Sequence, residues 1–382
     1  MISRVLITGA RAAAALDLAR DFVAAGWEAH LADCSGARMA KASRETKGVH
    51  RYASPVREPA RFRRDIAAMV DRLDPALVVP VCEEVFHLAA PSRSPVLGDK
   101  LFAPRFATLR QLHDKLAFAE LCESAGLAVP ESRFIQTIEE SQALRMESSE
   151  WVFKPRFSRF GESACVGPSA RDLSNLPVPI LAQRRVRGEE VCFYAIAHGG
   201  VLTAFCAYRS RWRLGGGASF AFEPIEAPCH DALHELADRL ASVTALTGQF
   251  ACDAIMDGDG KPWLIECNPR ATSGVHMLAG SGDLARAIAD GVAMPAMRPT
   301  PHHVAPAMLV FGLPMALREG RLGEWRETMR EGRDAIARPG DRRPFFGAML
   351  DGARFAISGL RHGISTTAAT TRDIEWNGED LP

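Results

Sequence analysis

The first hundred residues alternate short apolar runs with amphipathic stretches. This pattern predicts three strands and two helices, in the order Val5–Thr8 (strand), Ala12–Ala25 (helix), Glu28–Ala32 (strand), Arg61–Leu73 (helix) and Leu77–Val81 (strand). Gly26, directly after the first helix, is typical of a helix end. Since strands that alternate with helices form parallel sheets, we expect a doubly wound α/β unit here.

The central part of the chain shows strands of a different kind. A helix is predicted from His113 to Gly126, and a short apolar strand at Trp151–Lys154. Turns that contain glycine then join later strands into two predicted hairpins, Cys192–Ala197 with Val201–Ala207, and Phe250–Met256 with the strand that begins at Trp263. The stretch from Tyr208 to Ser219 is predicted to be a loop. Hairpins indicate antiparallel sheet, so we expect α+β structure after the α/β unit.

The last part of the chain has a weaker pattern. Met308–Leu313 is predicted to be an apolar strand, Leu322–Glu331 and Gly347–Arg361 are predicted helices, and Ser365–Pro382 is a polar tail. This segment can complete a binding cleft or form an oligomer interface, such as that of a homodimer. The sequence leaves both roles open.

Composition narrows the class of protein. Of 382 residues, 47% are hydrophobic and 24% charged, as in a globular protein with two or three domains. Lys+Arg and Asp+Glu both number 46, so no net charge attracts nucleic acid or an anionic membrane. The nine cysteines form no Cys-x-x-Cys pair, which favours reduced thiols. No secretion signal and no apolar run near the ~20 residues of a membrane helix is visible, so we expect a cytoplasmic protein.

The most informative segment follows the apolar run at residues 263–265. Alternation along this strand puts Glu266, Asn268 and Arg270 on one face, and the preceding turn permits a hairpin that brings Asp253 opposite Glu266. Carboxylate and amide oxygens suit Mg²⁺ (or Mn²⁺), which sits between protein carboxylates and substrate phosphates. Arg270 beside them would clamp an anion. The alternative is a surface hairpin with solvated charges.

This segment, Asp253 with Glu266-x-Asn268-Pro269-Arg270, resembles the metal-binding end of the ATP-grasp enzymes, nearest to the branch of carbamoyl-phosphate synthase and biotin carboxylase. The resemblance covers roughly residues 1–290. It implies an N-terminal doubly wound parallel unit as one wall of the substrate cleft, then a two-lobed ATP-grasp domain, then a C-terminal extension. The implied bounds are 1–112, 113–295 (small lobe about 130–187, large lobe about 188–295) and 296–382.

The resemblance also implies which residues bind ATP. Lys115 and Lys154 would contact the phosphates, and a loop with Ser158 and Gly161 would cover them. The backbone of the hinge, Gln183 to Val186, would contact adenine, and Glu190 would bind the ribose. The loop has one glycine where the family has more, and Gln183 stands where an acid is usual. Glu189 and Glu190 point opposite ways on a strand, so only one can face the nucleotide; the family's spacing favours Glu190.

Substrate contacts are predicted from position and charge. Glu83 or Glu84 follows the third strand of the first sheet, where ligands collect in open α/β sheets. Arg209, Arg211 and Arg213 precede three glycines in one loop. His276 follows the strand that carries the predicted metal ligands. Each has a purely structural alternative: a solvated helix start, a mobile surface loop, and a packing residue in a helix.

The resemblance implies an ATP-dependent carboxylate–amine ligase that acts through an acylphosphate and releases ADP and phosphate. Arg270 and Lys154 would be its catalytic residues, and its substrates a small carboxylate and an amine. Two other classes stay open: a phosphotransferase of the same fold that acts on a hydroxyl, and a non-catalytic nucleotide-binding regulator. An NAD-linked dehydrogenase fits less well, because Gly9 is the only glycine at residues 9–14.

Overall fold

Residues 2–91, 94–159, 164–214 and 217–381 are described by a computed structural model. In these parts of the chain, three β-sheets form, with helices packed against their faces. This mixed α/β and α+β architecture confirms the predicted fold class. No helix within the described ranges is both long and apolar enough to cross a lipid bilayer.

The first sheet is the predicted parallel unit. Its strands lie in the order β3-β2-β1-β4, with β1 (Arg4–Thr8), β2 (Glu28–Asp33), β3 (Val49–Arg51) and β4 (Leu77–Pro80). Helix α1 (Ala13–Ala24) packs on one face and α3 (Pro59–Leu73) on the other, while α2 (Arg38–Ala42) follows β2. The three predicted strands and both helices are confirmed to within two residues. Strand β3 was not predicted, because three residues are too few to show a pattern.

Short helices connect this sheet to the next. They are α4 (Glu84–Ala89), α5 (Ser94–Leu97), a 3₁₀ turn (Gly98–Lys100), α6 (Phe106–His113) and α7 (Lys115–Ser124). Helix α7 begins after Asp114, whose carboxylate accepts hydrogen bonds from the amides of Leu116 (3.1 Å) and Ala117 (3.5 Å). The predicted helix therefore begins and ends where expected, although residues 106–113 form a separate helix before it.

The second sheet is small and antiparallel. Its order is β5-β8-β6-β7, with β5 (Ser132–Ile135), β6 (Trp151–Lys154), β7 (Cys165–Val166) and β8 (Ile180–Arg184). Helices α8 (Ile138–Ala143) and α9 (Ala170–Leu173) and a 3₁₀ segment (Arg145–Glu150) cover it. The rings of Trp151 and Phe153 are fully buried in its core. The strand predicted at 151–154 is confirmed.

The third sheet is the largest. Its order is β13-β12-β9-β10-β11-β14-β15, with β9 (Gly188–His198), β10 (Val201–Arg213), β11 (Ser219–Pro224), β12 (Gly248–Asp257), β13 (Pro262–Asn268), β14 (His302–His303) and β15 (Arg333–Asp334). Both predicted hairpins are confirmed. The loop predicted from Tyr208 was wrong in its first half, because Tyr208–Arg213 extends β10 and pairs with β11.

The two faces of this sheet are covered differently. Val191, Phe193 and Ala195 of β9 pack with α7 and α10 (Cys229–Val243), while Cys192 and Tyr194 pack with α1, α11 (Val275–Leu278) and α12 (Asp283–Ala289). Odd positions of β9 therefore face α10, and even positions face the N-terminal unit.

The C-terminal segment is helical. It contains α13 (Ala305–Ala307), a π-helical stretch (Met308–Gly312), α14 (Leu313–Glu319), α15 (Leu322–Glu331), α16 (Arg343–His362) and α17 (Thr366–Ala369). The strand predicted at Met308–Leu313 was wrong. Met308, Gly312 and Ala316 are buried, a spacing of four that suits a helix packed beside Trp212 and Phe220.

Candidate active site

The hairpin of β12 and β13 places two carboxylates side by side. Asp253 lies directly opposite Glu266 in the register, as predicted. Removal from water and the nearby charge of Glu266 raise the pKa of Asp253. Two adjacent, partly buried carboxylates repel unless a proton or a cation lies between them. The pair therefore fits a hard divalent cation, with the amide of Asn268 two residues further along β13.

This donor set is small. Within the described residues, no group of three or more His, Cys, Asp and Glu side chains is arranged to hold a metal ion. The candidate set depends instead on two carboxylates and an amide. That number is typical of Mg²⁺ sites, where phosphates and water supply the other ligands.

Two buried lysines stand beside the pair. Lys115 Nζ lies 3.1 Å from Glu266 Oε2 and donates to the carbonyl of Ser158 at 3.0 Å. Lys154 Nζ donates to Gln183 Oε1 at 2.8 Å and to the carbonyl of Ile265 at 3.1 Å. Burial lowers the pKa of Lys154 to about 8, although the charge of Glu266 acts to raise it. Both ammonium groups therefore lie beside the carboxylate pair.

Arg270 lies at the edge of this group. Its Nη2 donates to Asn268 Oδ1 at 3.1 Å and is 3.9 Å from Glu83 Oε1, while Nη1 donates to the carbonyl of Ala271. Glu83 lies just after β4, so Arg270 connects β13 to the N-terminal unit. The pKa of Glu83 stays low despite burial, because Arg159, His113 and Arg270 lie nearby.

The predicted phosphate-covering loop is fixed at its first residues. Arg156 forms an ion pair with Asp114, the cap of α7, and Lys115 donates its backbone amide to the carbonyl of Arg156 at 3.2 Å. Arg159 binds both oxygens of Glu83, with Nε at 2.5 Å from each. Gly161, predicted to contact ATP, lies outside the described residues.

The residues predicted to form the hinge and to bind the ribose lie on and between two consecutive strands. Gln183 is buried and donates to Ser132 Oγ at 3.2 Å, while Val186 lies in the link between β8 and β9. Because even positions of β9 face the N-terminal unit, Glu190 lies on the face of Asp253 and Cys192, whose thiol donates to Asp253 at 2.9 Å. Glu189 points toward α10.

The three predicted arginines have different partners in the structure. Arg213 pairs with Glu190 at 2.6 Å and lies near Asp253 and Cys192. Arg209 pairs with Glu189 at 3.2 Å, and Arg211 pairs with Glu223 at 2.9 Å. The structure brings only Arg213 of the three to the candidate site, since a bulge in β10 between residues 210 and 213 changes the alternation.

His276 is placed elsewhere. Its imidazole is 3% exposed and its Nδ1 lies 2.7 Å from Asp17 Oδ2 in α1. Arg338 also binds Asp17, at 2.7 Å. The structural alternative for His276 describes this position, because the ring is enclosed between the large sheet and the N-terminal unit.

Sequence reasoning missed three participants. His113, at the end of α6, lies among Glu83, Lys115, Arg159 and Arg270, and its Nε2 is buried without a hydrogen-bond partner. Cys192 binds Asp253, and Trp376 from the C-terminal tail packs beside His113. The contact of Trp376 had one sequence signal, the alternation of acidic and apolar residues in Asp373-Ile374-Glu375-Trp376 within the polar tail.

Comparisons with known proteins concern the fold of the chain. Residues 112–274 match the family model described as an ATP-grasp domain. The chain contains an ATP-grasp domain. A search among curated proteins gives no significant match.

Several solved structures share the wider fold. Biotin carboxylase from Campylobacter jejuni superposes with a TM-score of 0.61 at 15% identity, covering 78% of this chain and 72% of that one. N5-carboxyaminoimidazole synthetase from Staphylococcus aureus, complexed with ADP, gives 0.62 at 12% identity, covering 83% and 86%. Phosphoribosylamine–glycine ligase from Thermotoga maritima gives 0.55 at 16%, covering 78% of each chain. At these identities the likeness establishes the fold alone.

Proposed function

We propose that the protein is an ATP-dependent carboxylate–amine ligase that uses Mg²⁺ and releases ADP and phosphate. The observation that carries this proposal is the Asp253–Glu266 pair opposite Lys115 and Lys154. Acids for a cation and buried ammonium groups for phosphate converge there, in a domain of the ATP-grasp family. We infer that the nucleotide lies between the second and third sheets.

The residues have separate roles in this proposal. Asp253, Glu266 and Asn268 would hold the cation, which neutralises phosphate charge when bound. Lys115, Lys154 and the backbone at Ser158 would bind phosphates, Gln183 and Val186 would border the adenine, and Glu190 would bind the ribose. Arg270 would stabilise the transferred phosphoryl group and the oxyanion formed during amine attack.

The reaction requires little covalent chemistry from the protein. A substrate carboxylate attacks the terminal phosphorus of ATP, ADP leaves, and the amine then displaces phosphate from the acylphosphate. The side chains position the reactants and neutralise charge, which is how proteins catalyse phosphoryl transfer. The nine cysteines are free thiols; this supports a reducing, cytoplasmic compartment as part of the proposal.

The test is ADP release from purified protein with ATP, Mg²⁺ and pairs of carboxylic acids and amines, followed by hydroxylamine in place of the amine. We expect an acid-dependent hydroxamate, and loss of turnover in Glu266→Gln, because the amide is a poorer cation ligand. Glu226→Gln, at an exposed position, is the matched control. A phosphorylated alcohol without any hydroxamate would identify a phosphotransferase and exclude the ligase.

A further inference from the structure

The C-terminal tail, residues 366–381, returns to the N-terminal unit. After α16, Gly363 adopts a φ of 65° and the chain reverses into α17, which is capped by Ser365. The tail then contacts residues that follow β1, β2 and β4, namely Arg11, Cys34 and Glu83. Ligands of open α/β sheets bind at this carboxyl edge of the strands. In this chain the edge is covered by the chain's own tail.

An acid of the tail is bound by a buried arginine. Arg11 Nη1 lies 2.5 Å from Asp373 Oδ1 and donates to the carbonyl of Thr370 at 2.7 Å. The same guanidinium binds Asp33 of β2 at 2.7 Å, and its side chain is 5% exposed. Ser54 donates to the carbonyl of Asp373 at 2.7 Å. An arginine held in this way presents a fixed pair of donors to an incoming carboxylate.

A second contact connects the tail to the phosphate-covering loop. The amide of Trp376 donates to Glu83 Oε2 at 3.4 Å, and Arg159 donates to the carbonyl of Trp376 at 2.6 Å and to Asn377 Oδ1 at 2.7 Å. Glu375 lies 3.6 Å from Arg159. The tail therefore binds both walls of the crevice, the N-terminal unit and the loop after β6.

An indole completes the attachment. Trp376 is 1% exposed, and its ring stacks on Phe86 at 4.8 Å with an angle of 22°. Phe106, His113 and Phe157 surround the remaining edges. Burial of a whole indole side chain contributes substantially to binding. His113 Nε2, buried and unpartnered, lies beside this ring and is available to a polar ligand group.

The charges of the crevice require an acidic occupant. Outside the tail, the acids that pair with Arg11, Arg159 and Arg270 among the described residues are Asp33 and Glu83. The carboxyl of Glu84 is engaged by the Thr8 hydroxyl and by the amides of Val81 and Cys82 instead of an arginine, and burial raises its pKa. The tail supplies the missing negative charge through Asp373 and Glu375. A ligand that replaces the tail must do the same.

We propose that this crevice is a binding site for a carboxylate-bearing small molecule and that the C-terminal tail is its resident competitor, with Asp373 in the place of the ligand's carboxylate on Arg11. That the ligand is a ligase substrate rests on the proposed function. That tail and ligand compete for one site does not, and it can be tested without ATP.

The experiment uses a fluorescent synthetic peptide of residues 365–381 added to the full-length protein. In Asp373→Asn protein, the resident tail loses a charge-assisted bond, so we expect the peptide to bind about tenfold more tightly than to wild type. Asp380→Asn, which removes the same charge from an exposed tail residue, should match the wild type. Succinate should displace the peptide, and uncharged succinamide should not.

A second variant tests the proposal independently, in case Asp373→Asn does not fold. Gly378 has a φ of 92°, and an added Cβ would lie 2.5 Å from the ring of Phe157, so Gly378→Ala should also loosen the tail while keeping Asp373. Equal peptide binding by all four proteins, or displacement by succinamide as strong as by succinate, would overturn the proposal. A third result would also overturn it. If both loosened variants lost substrate-dependent turnover and added peptide restored that turnover, the tail would be a required part of the site.

Discussion

At the residue scale, the distinction between Arg270 and a lysine is chemical. The guanidinium of Arg270 binds Asn268 and approaches Glu83, so it connects β13 to the N-terminal unit. An ammonium at the same position cannot offer paired planar donors to a phosphoryl group or an oxyanion. We therefore expect Arg270→Lys to retain ATP binding and to lose 10²- to 10³-fold in substrate-dependent turnover, an order of magnitude typical of losing one such donor.

Binding and turnover can be measured separately for this variant. Isothermal titration with ATP and Mg²⁺ gives the affinity, and ADP release gives the rate. Arg211→Lys, on the same sheet but paired with Glu223, serves as the control. If Arg270→Lys weakens ATP binding as much as turnover, the arginine binds the ground-state nucleotide, and its assignment to the transferred group is wrong.

The neighbouring acids Glu189 and Glu190 offer a matched pair of substitutions. Glu190 shares a face with Asp253, whereas Glu189 points toward α10 and pairs with Arg209. Hydrogen bonds between a charged acid and ribose hydroxyls are worth enough that their loss weakens binding about tenfold or more. We expect Glu190→Gln to raise the KM for ATP by that factor and Glu189→Gln to leave it unchanged. Equal effects in both variants would contradict the ribose assignment.

At the scale of elements, helix α16 provides a packing test. Gly347 lies against α2, where an added Cβ would be 2.5 Å from the carbonyl of Arg38, while Gly352 on the same helix has nothing within 4 Å of that position. Alanine at 352 should stabilise the protein by up to about 1 kcal/mol, the helix-propensity difference. Alanine at 347 should destabilise it by about 1–3 kcal/mol, because the two helices must separate.

Denaturant unfolding of the two alanine variants measures this difference directly. An unchanged midpoint for Gly347→Ala would mean that α16 does not remain against α2 in solution. That outcome would also weaken the proposed position of the tail, which follows α16 in the chain.

Elements with a strong local pattern were predictable from sequence. The hairpin that sets Asp253 opposite Glu266 follows from alternation and turn chemistry, and both are local properties. The stretch at 308–313 was misassigned, because a short apolar run suits a strand or a buried helix equally well, and only its packing against Trp212 decides. The bulge in β10 that separates Arg213 from Arg209 and Arg211 left no sequence signal.

The tertiary part of the site was the least predictable. Arg159 lies in the predicted phosphate-covering loop, but its partner Glu83 precedes it by 76 residues, and its other partner Trp376 follows it by 217 residues. Such pairs depend on how separate sheets are oriented, which alternation within a segment does not encode. The resemblance to a family supplied the order of parts.

At the scale of the whole molecule, one buried carboxylate joins three distant segments. Asp17 in α1 is fully buried and binds Arg20, His276 and Arg338, the last of which lies 321 residues further along the chain than Asp17. Burial raises the pKa of Asp17, but the hydrogen bond and charge of His276 and the two arginines lower it below its usual value. The N-terminal unit, helix α11 and the C-terminal segment all contribute to this network.

A lowered folded-state pKa fixes the direction of the pH effect. The ionised carboxylate stabilises the fold above the unfolded pKa of about 4, and this contribution is lost as the pH falls below that value toward the lower folded pKa. Asp17→Asn should therefore reduce the free energy of unfolding at pH 7 by about 3 kcal/mol, the lower end for breaking a buried pair. The variant should also lose less stability than wild type between pH 4 and pH 3.

Urea unfolding of both proteins at several pH values measures the two effects together. Asp238→Asn, an exposed position on α10, controls for the change of charge. Parallel pH curves for wild type and Asp17→Asn would show that another acid causes the loss at low pH. The opposite result is a large loss of unfolding free energy at pH 7 in Asp17→Asn, together with a smaller decline than wild type at acid pH. It would identify Asp17 as the group whose protonation weakens the contact between the N-terminal unit and the ATP-grasp domain.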